Sequence, residues 1–183
     1  MKQELEEIEQ LKYPIGKFDI PQHITSEEIK KWITDISELP EKLNKAVRSL
    51  SKEQLDTPYR PEGWTLKQLV HHIADSHMSA LLRFKWSLTE DEPTIKAYDE
   101  KAFADLYDSK FTPVEISLNF ISALHAKWVI LLENMSVTDL ERSFVHPQTG
   151  SRFKLKEILG HYSWHGKHHY AHLENLLKRK GWQ

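Results

Sequence analysis

The segment TEDEPTIKAYDEKAFADLYDSKF, Thr89–Phe111, decides how this chain folds. It has weak periodicity and lies between two amphipathic stretches. Connections in helical bundles usually run about 2–8 residues. One this long can cross the bundle and leave the helices on either side of it parallel. It has room for a short helix of its own near Asp99–Leu106.

The helix before it begins near Trp64, where Thr65 and Gln68 form an S/T-x-x-E/Q start. It runs through Leu66, Leu69, Val70, Ile73, Ala80, Leu81, Phe84 and Leu88. The helix after it begins at TPVE, with Thr112 as N-cap, Pro113 at the first helical position and Glu115 completing the box. Val114, Leu118, Ile121, His125, Trp128, Leu132 and Met135 give it a heptad-like stripe. An earlier helix lies in TSEEIKKWITDISELPEKLNKAVRSL, Thr25–Leu50, where apolar residues recur at three- and four-residue steps. Thr25 and Glu28 cap it, and Pro40 predicts a kink or break. The last helix spans about Leu155–Lys180 and closes on KRKG, with Gly181 as the left-handed terminator. Before it, SFVHPQTGSRF reads as a small hairpin. The expectation is one all-α domain over residues 1–183: a four-helix bundle with a long crossover between helices 2 and 3, plus the hairpin. Residues 1–12 read as a loosely attached segment.

Lys and Arg number 25 and Asp and Glu 27, a net charge of -2. That gives no electrostatic ground for a nucleic-acid partner or an anionic membrane. No apolar run approaches the ~18 residues of a membrane span, and MKQELEEIEQ lacks a signal-type apolar core. A cytoplasmic soluble protein is the expectation. There is no cysteine, which removes disulfides, a cysteine nucleophile and thiolate ligands. A transition metal here must be held by His, Asp or Glu.

Imidazole is concentrated in YSWHGKHHYAH, Tyr162–His172, with His161 just before. Histidines four apart share a helix face and can share an ion. Three such pairs exist: His161/His165, His165/His169 and His168/His172. Helical phase places His169 roughly 20° and His165 roughly 60° from the apolar centre, and His168 and His161 roughly 100–120° away. The inward pair is therefore His165/His169, with Gly166 leaving room beside it. His168 and His172 read as solvated or rim residues. An inward pair can equally be satisfied by hydrogen bonds. A third ligand would come from HHIADSH, His71–His77. Phase favours His77, at the centre of the apolar stripe. His72 shares a polar stripe with Gln68, Ser76, Ser79 and Arg83.

Together YPIGKF, LDTPYRPEGWTLKQLVHHIADSHM, AYDEKAF and YSWHGKHHYAHL resemble the YfiT-like branch of the DinB superfamily, from Tyr13 to the end. The resemblance implies a four-helix bundle with a crossover between helices 2 and 3. It implies a metal on three histidines, here His72, His165 and His169, overruling the phase preference for His77. Members are described as metal-dependent hydrolases, and others transfer low-molecular-weight thiols such as bacillithiol. Three neutral histidines suit a divalent ion, zinc by choice with nickel as the alternative. Hydrolysis by activated water is the first expectation. S-transfer of bacillithiol to electrophiles and a non-catalytic metal-binding bundle are the alternatives.

Asp75, one turn from His72, is a candidate to orient a ligand or act on water, or is simply solvated. Tyr59, Arg60, Trp64, Tyr162 and Trp164 shape a pocket entrance or are ordinary packing. Arg83 meets an anionic substrate or forms an exposed ion pair. His125 and His146 read as a packed and a loop histidine. The partner is a small-molecule substrate. Met78, Leu82 and Trp86 suggest a homodimer face or a helix buried on both sides.

Overall fold

A computed structural model describes residues 8–182. Residues 8–12 are helical, and the rest of the segment expected to be loosely attached lies outside the described residues. The long helices are α1 (Ser26–Val47), α3 (Leu66–Thr89), α6 (Val114–Glu133) and α8 (Leu155–Lys180). Between them lie α2 (Lys52–Leu55), α4 (Glu100–Ala104), α5 (Tyr107–Phe111), α7 (Val137–Leu140) and a hairpin of β1 (Ser143–Val145) and β2 (Arg152–Lys154).

Thr25 and Thr65 both close reciprocal capping boxes, with Glu28 and Gln68. Gly181 ends α8 in the left-handed conformation, φ 65°. Of the kink or break expected at Pro40, the break does not occur: α1 continues through it, with Pro40 itself buried in the core-facing stripe. One local expectation fails. The Thr112 box is absent: Pro113 precedes α6 without a side-chain cap, and Thr112 ends α5. The carbonyl of Thr112 is instead hydrogen-bonded to His71, 3.2 Å away.

Helix directions follow from which residues meet. Between α3 and α6, His71 bonds Ser117, His77 bonds His125, and Phe84 packs on Trp128, so these helices run parallel. Between α1 and α8, Trp32 lies against Gly160, Asp35 meets Ser163 and Leu39 lies against Gly166, also parallel. Between α3 and α8, His72 meets His169 and Arg83 meets Tyr162, so these are antiparallel. The order is up, down, down, up. The crossover makes this connectivity feasible, and it contains both α4 and α5. Gln68 anchors it through the carbonyl of Ala104, at 3.0 Å, and Ile95 donates to Val145 of the hairpin at 3.1 Å.

Against the sequence expectation, α6 is long and apolar enough to span a membrane, with a mean hydropathy of 1.3 over its best 18-residue window. Its inner face buries Leu118, Ile121, Leu124, Trp128 and Leu132 in the bundle. Met78 and Trp86 of the suggested self-association face pack against the core, while Leu82 is 39% exposed.

The approach of α1 to α8 depends on glycine. A Cβ on Gly160 would sit 2.9–3.1 Å from three atoms of the Trp32 ring. Overpacking of that kind costs about 1–3 kcal/mol, against a helix-propensity gain of about 1 kcal/mol for replacing glycine. Gly160→Ala is expected to lower the urea midpoint followed by circular dichroism, and Gly160→Val to lower it further. An unchanged midpoint for both would mean that the indole moves aside freely.

Candidate metal centre

Successive turns of α8 carry His165 and His169, and the antiparallel α3 brings His72 across to them. His72 Nε2 lies 3.3 Å, and His169 Nε2 3.2 Å, from His165 Nε2. These three form a group able to hold a metal ion, the one such group among the described residues. With Zn–N bonds of 2.0–2.1 Å, tetrahedral geometry sets neighbouring ligand nitrogens about 3.3–3.4 Å apart, so the spacing fits. The charge state fits too. Burial holds His72 down to about 4. His165 and His169 lie well below the ordinary histidine range, through burial first and then through the neighbouring imidazoles. Neutral rings present lone pairs to a cation.

Behind His165 runs a chain of buried imidazoles. His165 Nδ1 is 3.1 Å from His77 Nε2, His77 Nδ1 is 2.8 Å from His125 Nε2, and His125 Nδ1 is 2.6 Å from the carbonyl of Ile36. A carbonyl only accepts, so His125 carries its proton on Nδ1. Its Nε2 must then accept from His77 Nδ1, and His77 Nε2 must accept from His165 Nδ1. Every tautomer is set by the carbonyl at the far end, and His165 is left with a bare Nε2 facing the His72 and His169 rings. Such partners orient a ligand ring and raise its basicity.

His77, favoured by phase, is thus fully buried but acts on His165 from outside the three-histidine group. His125, read from sequence as a packed histidine, completes the chain. Its only signal was a polar residue on an otherwise apolar stripe. Asp75 is half-buried, and burial, with the charge of Asp108, raises its carboxyl to about 6. It makes no hydrogen bond to the three rings. Ser76 comes closer, its Oγ 3.4 Å from His165 Nε2. Arg83 forms no ion pair among the described residues. It donates to the Tyr162 hydroxyl at 3.1 Å, and Tyr162 is buried rather than at an entrance. His146 lies in the hairpin turn as expected. The pair His168/His172, read as solvated or rim residues, is buried and lines the cavity. Trp164 stacks on His168 from one turn earlier at 4.6 Å, and Tyr59 covers His172 at 4.4 Å. Helical phase could not foresee the Tyr59 cover, because it comes from a distant loop.

A cavity of about 630 Å³ reaches His165 and His169 from outside. Its walls include Tyr59, Arg60 and Trp64 from the loop before α3, and Trp164 from α8. Trp64 also packs on His72, ring centroids 4.6 Å apart.

Two outcomes are expected. His125→Phe removes the end of the imidazole chain and should weaken metal binding about 10–100-fold, read by competition with a chelator, while His146→Phe should not. The second concerns pH. His72, His125 and His168 are held at about 4 and His172 at about 3, all below the ordinary 6.5 and all primarily by burial. The unfolded chain therefore binds more protons in that interval. The metal-free protein should keep full stability above pH 6.5 and lose it progressively as pH falls towards 4. Urea midpoints that stay flat across this range would contradict neutral burial.

Residues 35–173 match the family model described as DinB superfamily. A protein of Oceanobacillus iheyensis named "putative metal-dependent hydrolase" is 52% identical over 171 residues, 93% of this chain and 98% of that one. One of Bacillus cereus strain B4264, with the same name, is 51% identical over 172 residues, 94% and 98% of the two chains. Among solved structures, YfiT from Bacillus subtilis superposes with a TM-score of 0.92 at 45% identity, covering 95% of this chain and 99% of its own. It is described as "a probable metal-dependent hydrolase with an unusual four-helix bundle topology".

Proposed function

We propose that this chain, which belongs to the DinB superfamily, is a metal-dependent hydrolase whose ion is held by His72, His165 and His169. One observation carries the reading: three neutral imidazoles converge where an open cavity meets the bundle core. The names of the relatives point the same way. A divalent cation on three neutral ligands keeps its full charge, polarises a carbonyl and lowers the pKa of water towards ~7. Zinc suits the donor set, with nickel as the alternative.

The protein's own contribution is orientation and access. The imidazole chain from Ile36 fixes the His165 ring. Trp64 packs on His72 and holds that ring from the cavity side. Trp64 and Trp164 give a small organic substrate apolar walls to lie against.

The test uses untagged protein. Metal content is measured by mass spectrometry, and turnover is followed on a panel of chromogenic esters, amides and lactones, with and without bacillithiol. Wild type should bind a stoichiometric divalent ion and hydrolyse part of the panel without thiol. His165→Ala should lose both metal and turnover, by at least about 100-fold in kcat/KM, the scale of a lost electrostatic stabiliser. Turnover that requires the thiol would replace hydrolysis by S-transfer. Metal without either activity would leave a binding bundle.

A further inference from the structure

The cavity has a second polar corner that the three-histidine group does not use. We propose that Arg60, with His168 and His172 beside it, anchors an anionic group of the substrate, a carboxylate or phosphate, next to the metal centre. The substrates are then compounds that carry a negative charge a few bonds from the scissile carbonyl. What is hydrolysed rests on the hydrolase reading above; the anion subsite itself does not.

Arg60 is held in place before any ligand arrives. It lies in a tight turn in which Tyr59 N–H donates to Trp64 at 3.1 Å and Gly63 N–H donates to the Arg60 carbonyl at 3.0 Å. Glu62 takes a positive φ of 57° there. A Cβ on Gly63 would come within 2.8 Å of Arg60 Cγ, so the bare glycine is what lets the arginine stem pass. The guanidinium sits 5.4 Å from the Tyr59 ring centroid. Tyr59 is pinned in turn by Arg179, which donates to its carbonyl at 2.6 Å, and by the His172 ring.

Among the described residues this fixed cation, Arg60, forms no ion pair. Nη1 donates to the carbonyl of Pro61 at 3.0 Å, and Nε is buried without a partner. Beside it, His168 and His172 approach Nε2 to Nε2 at 3.1 Å, and His168 Nδ1 is also buried without a partner. One ring's N–H is donated to the other across this contact, so the pair has one N–H left to give. Exposed Glu62, Glu100 and Asp105 lie on the cavity wall, but Asp105 is paired with Lys110 at 2.8 Å.

A second metal on His168 and His172 is the competing use of this pair. Two observations speak against it. No third ligand joins them in a metal-type group among the described residues. Arg60 lines the same corner of the cavity as the pair, and its positive charge would repel a cation. The same charge attracts an anion, and a planar guanidinium pairs with two oxygens of a carboxylate or phosphate.

The test reads binding and turnover separately on zinc-loaded protein. Glutarate, acetate and inorganic phosphate are titrated against the fluorescence of the cavity tryptophans. Glutarate or phosphate should bind at least about tenfold more tightly than acetate, the stronger of the two naming the anion. Arg60→Gln and Gly63→Ala should each weaken that binding about 10–100-fold, the scale of a lost charge-assisted hydrogen bond, with zinc content unchanged. Arg60→Lys should recover part of it. Turnover is compared for the 4-nitrophenyl esters of glutaric acid and its monomethyl ester. The charged ester should show the lower KM, and Arg60→Gln should raise that KM. Anion binding indifferent to Arg60 would overturn the subsite. Arg60-dependent binding with no ester cleaved would keep the subsite and overturn the hydrolase reading.

Discussion

The chain of imidazoles that ends on the carbonyl of Ile36 involves all four long helices. Ile36 is on α1, His125 on α6, His77 on α3 and His165 on α8. Each link must donate in the same direction, because the carbonyl can only accept. The orientation of His165 is therefore set by residues outside the three-histidine group. Buried polar groups are costly when unpaired and rigidifying when fully paired. Here every nitrogen of His77 and His125 is used. The site is thus a property of the assembled bundle and not of any one helix.

That assembly needs the up, down, down, up order. His77 can lie between His125 and His165 because α3 packs on both α6 and α8. With α3 and α6 parallel, the centre falls inside the bundle near the N-terminal half of α3, beneath the loop that carries Tyr59 and Trp64. The long crossover permits this arrangement, and two small helices and a hairpin contact keep it from being slack. The glycines of α8 contribute from the other side. Gly166 lets Leu39 come close, and an added Cβ there would also lie 3.6 Å from His77 Cε1.

The two polar parts of the cavity have different character. One is three lone pairs without charge, suited to a cation. The other is a fixed guanidinium that forms no ion pair among the described residues, suited to an anion. The first needs α3 set against α8; the second needs the loop before α3 set against α8, a contact between residues more than a hundred positions apart. The exposed Leu82 and the half-buried Met78 and Trp86 follow the same logic: a stripe read as a second apolar face partly packs on the core once α3 has neighbours on several sides.

The sequence by itself determined the helices, their caps at Thr25, Thr65 and Gly181, the hairpin and the crossover, because each rests on local periodicity or backbone chemistry. Phase also set His165 and His169 on the inward face. It could not choose between His72 and His77. Both face neighbours, and the difference lies in which neighbour each meets. The family resemblance named His72 beside His165 and His169, and the structure brings the three together; only the tertiary structure decided that His77 and His125 stand behind that group, and that His168 and His172 are covered. A helical wheel records direction from one axis, whereas burial and hydrogen bonding depend on what other segments bring to that direction. Pro40 and Thr112 make the same point in miniature: packing carried the helix through the proline, and the carbonyl of Thr112 was taken up by His71 from another helix.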